Sequence, residues 1–135
     1  MAKIVIYKGF WTRSDVRDQK DKVFLFGDNT HDRTVTKHVP KSTQAVIRGL
    51  PNAIGIDTKK DRGHRPTSYF TDDDYEMFKK QVDDAIGQAI QSRKTIVLPE
   101  DGIGTGKAML ETKAPKLFQY LQMCLNNLKT VSDTA

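Results

Sequence analysis

The chain has 135 residues, 37% of them apolar and 29% charged, and it carries a net charge of +5. That length suits one domain over residues 1–135. The composition excludes a disordered chain, and no apolar run reaches the length of a membrane span. Cys124 is the only cysteine, and the opening "MAKIVIYKGF" lacks the form of a signal peptide, so no internal disulfide, no membrane partner and a reducing cytoplasm are expected.

Lys3 to Tyr7 reads as a short β-branched strand, and the polar stretch Thr12 to Lys22 as a loop. Lys22 to Phe26 is apolar throughout, as a buried central strand should be, and stops at the turn-forming run Gly27-Asp28-Asn29. Thr30 to Lys41 is polar and reads as loop. Ser42 to Arg48 predicts a short helix capped by Ser42 or Thr43 and closed by Gly49. Ala53 to Ile56 is a third strand, running into Asp57-Thr58-Lys59. Thr71 followed by three aspartates starts a long helix. Tyr75, Phe78, Val82, Ala85, Ile86, Ala89 and Ile90 recur at its spacing to about Ser92. Thr95 to Leu98 is a fourth strand ending at Pro99. Thr112 caps a last helix, with Pro115 in its first turn and Leu117, Leu121, Cys124, Leu125 and Leu128 as its stripe. Residues 130–135 read as a frayed tail. The order predicts an α/β layered domain with a mixed sheet and helices on both faces.

In such a sheet ligands collect at the carboxyl ends of the strands, and three polar turns stand there: Gly27 to Asn29, Asp57 to Lys59, and Glu100 to Lys107. Backbone N–H groups of the glycine loop Asp101-Gly102-Ile103-Gly104-Thr105-Gly106 can converge on phosphate oxygens. It is neither of the familiar phosphate loops. For G-x-x-x-x-G-K-[ST], Asp101 replaces the first glycine and Ala108 the hydroxyl; for G-x-G-x-x-G, Lys107 replaces the last glycine. Asp28 is either an acceptor for a base amine or ribose hydroxyl, or a turn residue. Lys59 is a phosphate contact, a nucleophile or a surface lysine. Phe10 and Trp11 are either an aromatic ledge for a base or core. His31, His38 and His64 show no metal spacing, so no metal site is expected. Cys124 reads as core.

"AIGIDTKKDRGHRPT", a long helix, and then "TIVLPEDGIGTG" resemble the macro domain, in particular the branch that removes ADP-ribose from acidic side chains. In that branch a strand ends in Thr-Lys and a later strand runs into Pro-x-x-Gly-x-Gly. The resemblance covers Lys22 to Leu121. "VFLFGDN", "QAVIRGLPNAIGI", "YFTDDD" and "LPEDGIGTG" are more similar still to a small macro-like family of bacteria and phages that brings no established activity. The resemblance implies a three-layer α/β/α sandwich with a mixed central sheet, an ADP-ribose-like ligand and no cofactor. It places the phosphates on Gly102 to Gly106 and Asp28 near the adenine; Gly27, Asn29 and Thr58, from the polar turns at the strand ends, and Gln44 are expected around the ligand. It makes Lys59 the lysine that attacks the ribose C1. Two positions depart from it. Gly106 stands where the hydrolase branch has an aspartate, and Ser42-Thr43 where macro-like relatives have a glycine pair.

Three functions are therefore expected in order. The first is capture of an ADP-ribose-like or related nucleotide, in the setting of a phage protein that counters a nucleotide immune signal. The second is hydrolysis of an ADP-ribosyl bond through Lys59. The third is nucleic-acid binding through the basic run "KKDRGHR", Lys59 to Arg65.

Overall fold

The computed structural model describes residues 3–134, with side chains through residue 130. In chain order the elements are β1 (Ile4–Tyr7), α1 (Arg13–Arg17), β2 (Lys22–Asn29), β3 (Ala53–Lys59), α2 (Tyr75–Gln91), β4 (Thr95–Pro99), α3 (Leu110–Lys113) and α4 (Pro115–Thr134). The sheet order is β1-β4-β2-β3, and all three pairings are parallel. A mixed sheet was expected. Among the described residues the antiparallel component is a single bridge between Lys59 and Tyr69. The connections between successive strands are long enough to return the chain to the starting edge, as parallel pairing requires.

Both faces of the sheet are covered. Along β2, Val23 and Leu25 join the core built with α2 and α4, whereas Phe24 and Phe26 pack with Trp11, Val16 and Ala45 to Ile47. Successive strand side chains point to opposite faces, so a strand buried on both sides reads as one apolar run. Trp11 meets Phe24 edge to face, with ring centroids 5.5 Å apart. Trp11 is therefore core.

Several boundaries differ from the sequence reading. Thr12 to Lys22 contains α1, which starts where the Thr12 hydroxyl accepts the Asp15 N–H at 3.1 Å. Residues 32–36 form one π turn, and Gln44–Ile47 a 3-10 turn whose preceding Thr43 makes no side-chain cap. At the start of the long helix the Asp74 carboxylate accepts the Thr71 N–H at 2.9 Å. Phe78, Val82, Ala85 and Ala89 point inward along α2, but Ile90 faces solvent. The last helix is broken at Ala114 (φ −143°, ψ 66°), because the residue before Pro115 avoids the helical region. Thr112 lies inside α3 and caps nothing. On α4, Leu117, Leu121, Leu125 and Leu128 are buried and Cys124 is half-buried. The tail expected to fray continues as helix to Thr134, and Ala135 lies outside the described residues. Among those residues no helix is long and apolar enough to cross a membrane.

Candidate functional site

With every pairing parallel, the carboxyl ends of all four strands share one edge. β2 pairs with β4 only from Lys22 to Phe24, and then runs on beside β3 to Asn29. The connection after β2 packs on the α1 face, while the chain after β4 crosses to the α2–α4 face. The crevice between β2 and β4 is thus the switch point where ligands enter open parallel sheets. Gln44 spans it. Its side-chain oxygen accepts the Gly27 N–H at 2.8 Å, and its amide nitrogen donates to the Gly102 carbonyl at 2.8 Å. One side chain thereby satisfies two backbone groups that the diverging strands leave unpaired. Gly27 makes room for it: a Cβ there would lie 3.3 Å from that oxygen.

A cavity of about 520 Å³ opens at this edge. Gly27, Asp28, Asn29, Gln44, Thr58 and Lys59 line one side of it. Asp101, Gly102, Gly104, Thr105 and Gly106 line the other. Ile103 is the exception among the expected residues, because its side chain is buried in the core with Leu110 and Leu121. Gly27, Asp28 and Asn29 belong to β2 rather than to a turn, since pairing with β3 outweighs their local preference. The register slips between Asp28 and Asn29, which leaves Thr58 as the extra residue of a bulge. The Thr58 hydroxyl donates to the Asp28 carbonyl at 3.3 Å.

The cavity floor holds an ion pair that the sequence reading did not find. Arg48 donates to Asp28 Oδ1 through Nη2 at 2.5 Å and Nε at 2.9 Å, and to the His38 carbonyl through Nη1. The same Asp28 oxygen accepts the Asn29 N–H at 2.8 Å. The pair is almost fully buried. Burial pushes the Asp28 carboxyl above the usual range, while Arg48 and the Asn29 N–H pull it back. The nearest carboxylate oxygen would lie only 2.7 Å from a Cβ at residue 55, which is why that position is glycine. A lone arginine inside the apolar run "QAVIRG" was the available signal for this partner.

Beside it, Asp32 accepts from Asn29 Nδ2 at 2.9 Å and from the Thr36 hydroxyl at 2.7 Å, and pairs with Arg62 at 3.0 Å. Burial alone would raise the Asp32 carboxyl; these partners bring it below the usual range. Behind the cavity, Arg33 grips Asp57 through Nε at 2.8 Å and Nη2 at 2.7 Å, pinning the 30–36 segment to β3.

The glycine loop faces these pairs. Gly102, Gly104 and Gly106 take φ values of +83°, +89° and +63°, a region where other residues are strained. Gly106–Ala108 form a 3-10 turn, which uses the Ala108 N–H, whereas the backbone N–H groups from Ile103 to Lys107 find no acceptor among the described residues. All of these residues except Ile103 line the cavity. The cations nearby divide into two sets. Arg48 and Arg62 are neutralised by Asp28 and Asp32, whereas Lys59 and Lys107 form no ion pair among the described residues. Lys59 is buried, donates to the Gly63 carbonyl at 2.7 Å, and rests over the Tyr69 ring at 4.8 Å. Burial pushes its amine below the usual lysine range; Asp61 pulls it up and Lys107 pushes it further down. Of the expected nucleic-acid run, Lys60 pairs with Asp74 and Arg62 with Asp32, so part of that basic charge is used within the fold. Among the described residues no three His, Cys, Asp or Glu side chains gather as a metal site.

Thr43 lines the cavity mouth with φ 86° and ψ 171°, a backbone region that belongs almost entirely to glycine. Such a residue costs about 1–3 kcal/mol. Thr43→Gly is expected to stabilise the protein by about 1 kcal/mol, after the entropy that glycine adds to the unfolded chain. A thermal melt checks this: the midpoint should rise by about 3 °C. A fall would show that the Thr43 side chain holds the loop.

The fold and cavity define an α/β domain with an open crevice at the carboxyl edge of a four-stranded parallel sheet. Residues 6–124 match the model of a family of unknown function, DUF7831, and the chain belongs to that family. No curated protein and no solved structure matches it.

Proposed function

We propose that the cavity captures a phosphate-bearing nucleotide of the ADP-ribose type, with its phosphates on the loop Gly102 to Gly106 and beside Lys59 and Lys107. The observation that carries this reading is the run of N–H groups from Ile103 to Lys107 without protein acceptors, set next to two lysines that form no ion pair among the described residues. Backbone donors in a glycine loop and fixed positive charge are the two elements of a phosphate site. The volume of about 520 Å³ falls within the range of small-molecule pockets. A sheet covered on both faces supports a macro-like sandwich, although its four parallel strands are simpler than the mixed sheet of that fold. In a phage setting the ligand would be a nucleotide immune signal. Native mass spectrometry of the purified protein tests the reading through the mass of a co-purified nucleotide. Lys59→Ala should then weaken binding about 10- to 100-fold, as expected for a lost charge-assisted hydrogen bond.

Hydrolysis through Lys59 is the second reading, favoured by the lowered amine pKa, which makes a neutral nucleophile more available. Against it, Gly106 supplies no carboxylate where the resembled hydrolases have one. The pH dependence separates the two. A binder uses the protonated amine, so affinity falls as pH rises through the lowered Lys59 value. A hydrolase uses the neutral amine, so its rate rises over the same interval. Lys107→Gln removes a like charge and should move either transition to higher pH. Release of ADP-ribose from modified protein by the wild type but not by Lys59→Ala would decide for the hydrolase.

A further inference from the structure

Phe10 is the most exposed large apolar side chain among the described residues, with 87% of its surface accessible, and it stands at the cavity rim. A single exposed aromatic is ordinary on a protein surface. This one is held differently from a casual surface residue. On its N-terminal side Gly9, at φ +79°, turns the chain, and its N–H donates to Glu100 Oε1 at 3.1 Å. On its C-terminal side Trp11 is buried, and its indole N–H donates to the Gln44 carbonyl at 3.0 Å. Both anchors therefore tie Phe10 to the segments that frame the cavity: Glu100 opens the glycine loop, and Gln44 bridges that loop to β2. A small crevice between Phe10, Thr43, Gln44, Pro99 and Asp101 continues the cavity beneath the rim. The backbone on either side is fixed while the ring itself is uncovered.

The geometry points to Phe10 as the platform on which the ligand's nucleobase stacks, an inference that rests on the nucleotide reading above and names the ring-binding part of the same site. The other candidate for recognising the base, Asp28, already has one carboxylate oxygen filled by Arg48 and the Asn29 N–H, and it lies on the buried floor. An exposed ring at the rim offers a π face to any base, and stacking of that kind is tolerant of base identity. The ligand class is then a nucleotide held at two points, phosphates on the glycine loop and base on Phe10. Coverage of the ring by the base also removes apolar surface from water, which adds to affinity without demanding a change in the fold.

Isothermal titration of wild type, Phe10→Ala and Phe10→Tyr with ADP-ribose and with ribose 5-phosphate tests this. Phe10→Ala should bind ADP-ribose about 10- to 100-fold more weakly, the loss expected for one base stack. Phe10→Tyr should restore it, and ribose 5-phosphate should bind all three proteins alike. The melting temperature of Phe10→Ala should match the wild type, because the ring supports no core packing. Equal ADP-ribose affinity in wild type and Phe10→Ala would overturn the stacking role while leaving nucleotide binding in place. An equal loss for both ligands would also overturn it, because Phe10 would then be shaping the loop rather than meeting a base. Wild type that binds neither ligand would remove the nucleotide reading itself, and the stacking inference with it.

Discussion

Arg48→Ala is expected to lower the melting temperature by about 10–15 °C. Asp28 and Arg48 neutralise each other on the cavity floor with side chains 1% and 7% exposed, so removal of the arginine leaves a carboxylate buried without its partner. Breaking a buried pair in this way costs about 3–5 kcal/mol, which for a domain of this size gives a shift of that order. The deficit should depend on pH with a defined sign. Burial without Arg48 raises the Asp28 carboxyl further above its unfolded value. A raised carboxyl contributes stability that is fully present below the ordinary value of about 4 and is lost as pH rises through the folded value. The gap between wild type and variant should therefore narrow as pH falls toward 4. Arg48 also donates to the His38 carbonyl, so the 38–40 segment at the cavity wall should loosen in the variant. Replacing both partners, with Asp28→Leu and Arg48→Met, should recover much of the loss, because an apolar pair leaves no charge behind. A pH-independent loss of under about 2 °C in Arg48→Ala would show that the pair is not buried as described.

Gly104→Ala should cost about 2–4 kcal/mol and lower nucleotide affinity about 100-fold or more. The residue takes φ +89°, and an added Cβ would sit 2.9 Å from Leu110 Cδ2 and 3.5 Å from Leu121 Cδ2. Leu110 is 1% exposed and Leu121 is fully buried, so neither can swing away without opening the core. The loop must shift instead, and its N–H groups shift with it. Gly106→Ala is the internal comparison. Its φ is +63° and an added Cβ meets nothing within 4 Å, so only the left-handed backbone is penalised, by about 1 kcal/mol. Melting curves and titrations of the two variants should rank Gly104→Ala far below Gly106→Ala on both measures. Equal behaviour would mean that the loop is not held against the core at Leu110.

Much of the architecture is legible in the sequence because it rests on patterns longer than a few residues. The four apolar strand runs and the α2 stripe are set by burial, and burial is what hydrophobic spacing records. The convergence of the glycine loop with Asp28 and Lys59 follows from the carboxyl ends of parallel strands sharing one edge. The misreadings lie where tertiary pairing overrules local preference. Gly27, Asp28 and Asn29 favour turns by themselves, yet they continue β2 because β3 offers partners through Lys59. Ile103 sits in a polar loop, but the positive φ values on either side turn its side chain into the core. Lone residues were hardest to read. Arg48 is one charge in an apolar run, Asp32 one acid in a polar loop, and Thr43 carries a backbone conformation for which threonine gives no signal. Their roles depend on contacts with residues distant in the chain, which local propensity does not encode.

Direct calorimetric titration of the wild-type protein with ADP-ribose, NAD and cyclic nucleotides, at low and at physiological salt, tests whether the cavity holds a nucleotide. Saturable one-to-one binding of at least one phosphate-bearing nucleotide is expected, weakened by salt and by Lys59→Ala, with no turnover of the ligand. Absence of any binding up to millimolar ligand, from folded protein at low salt, would contradict it.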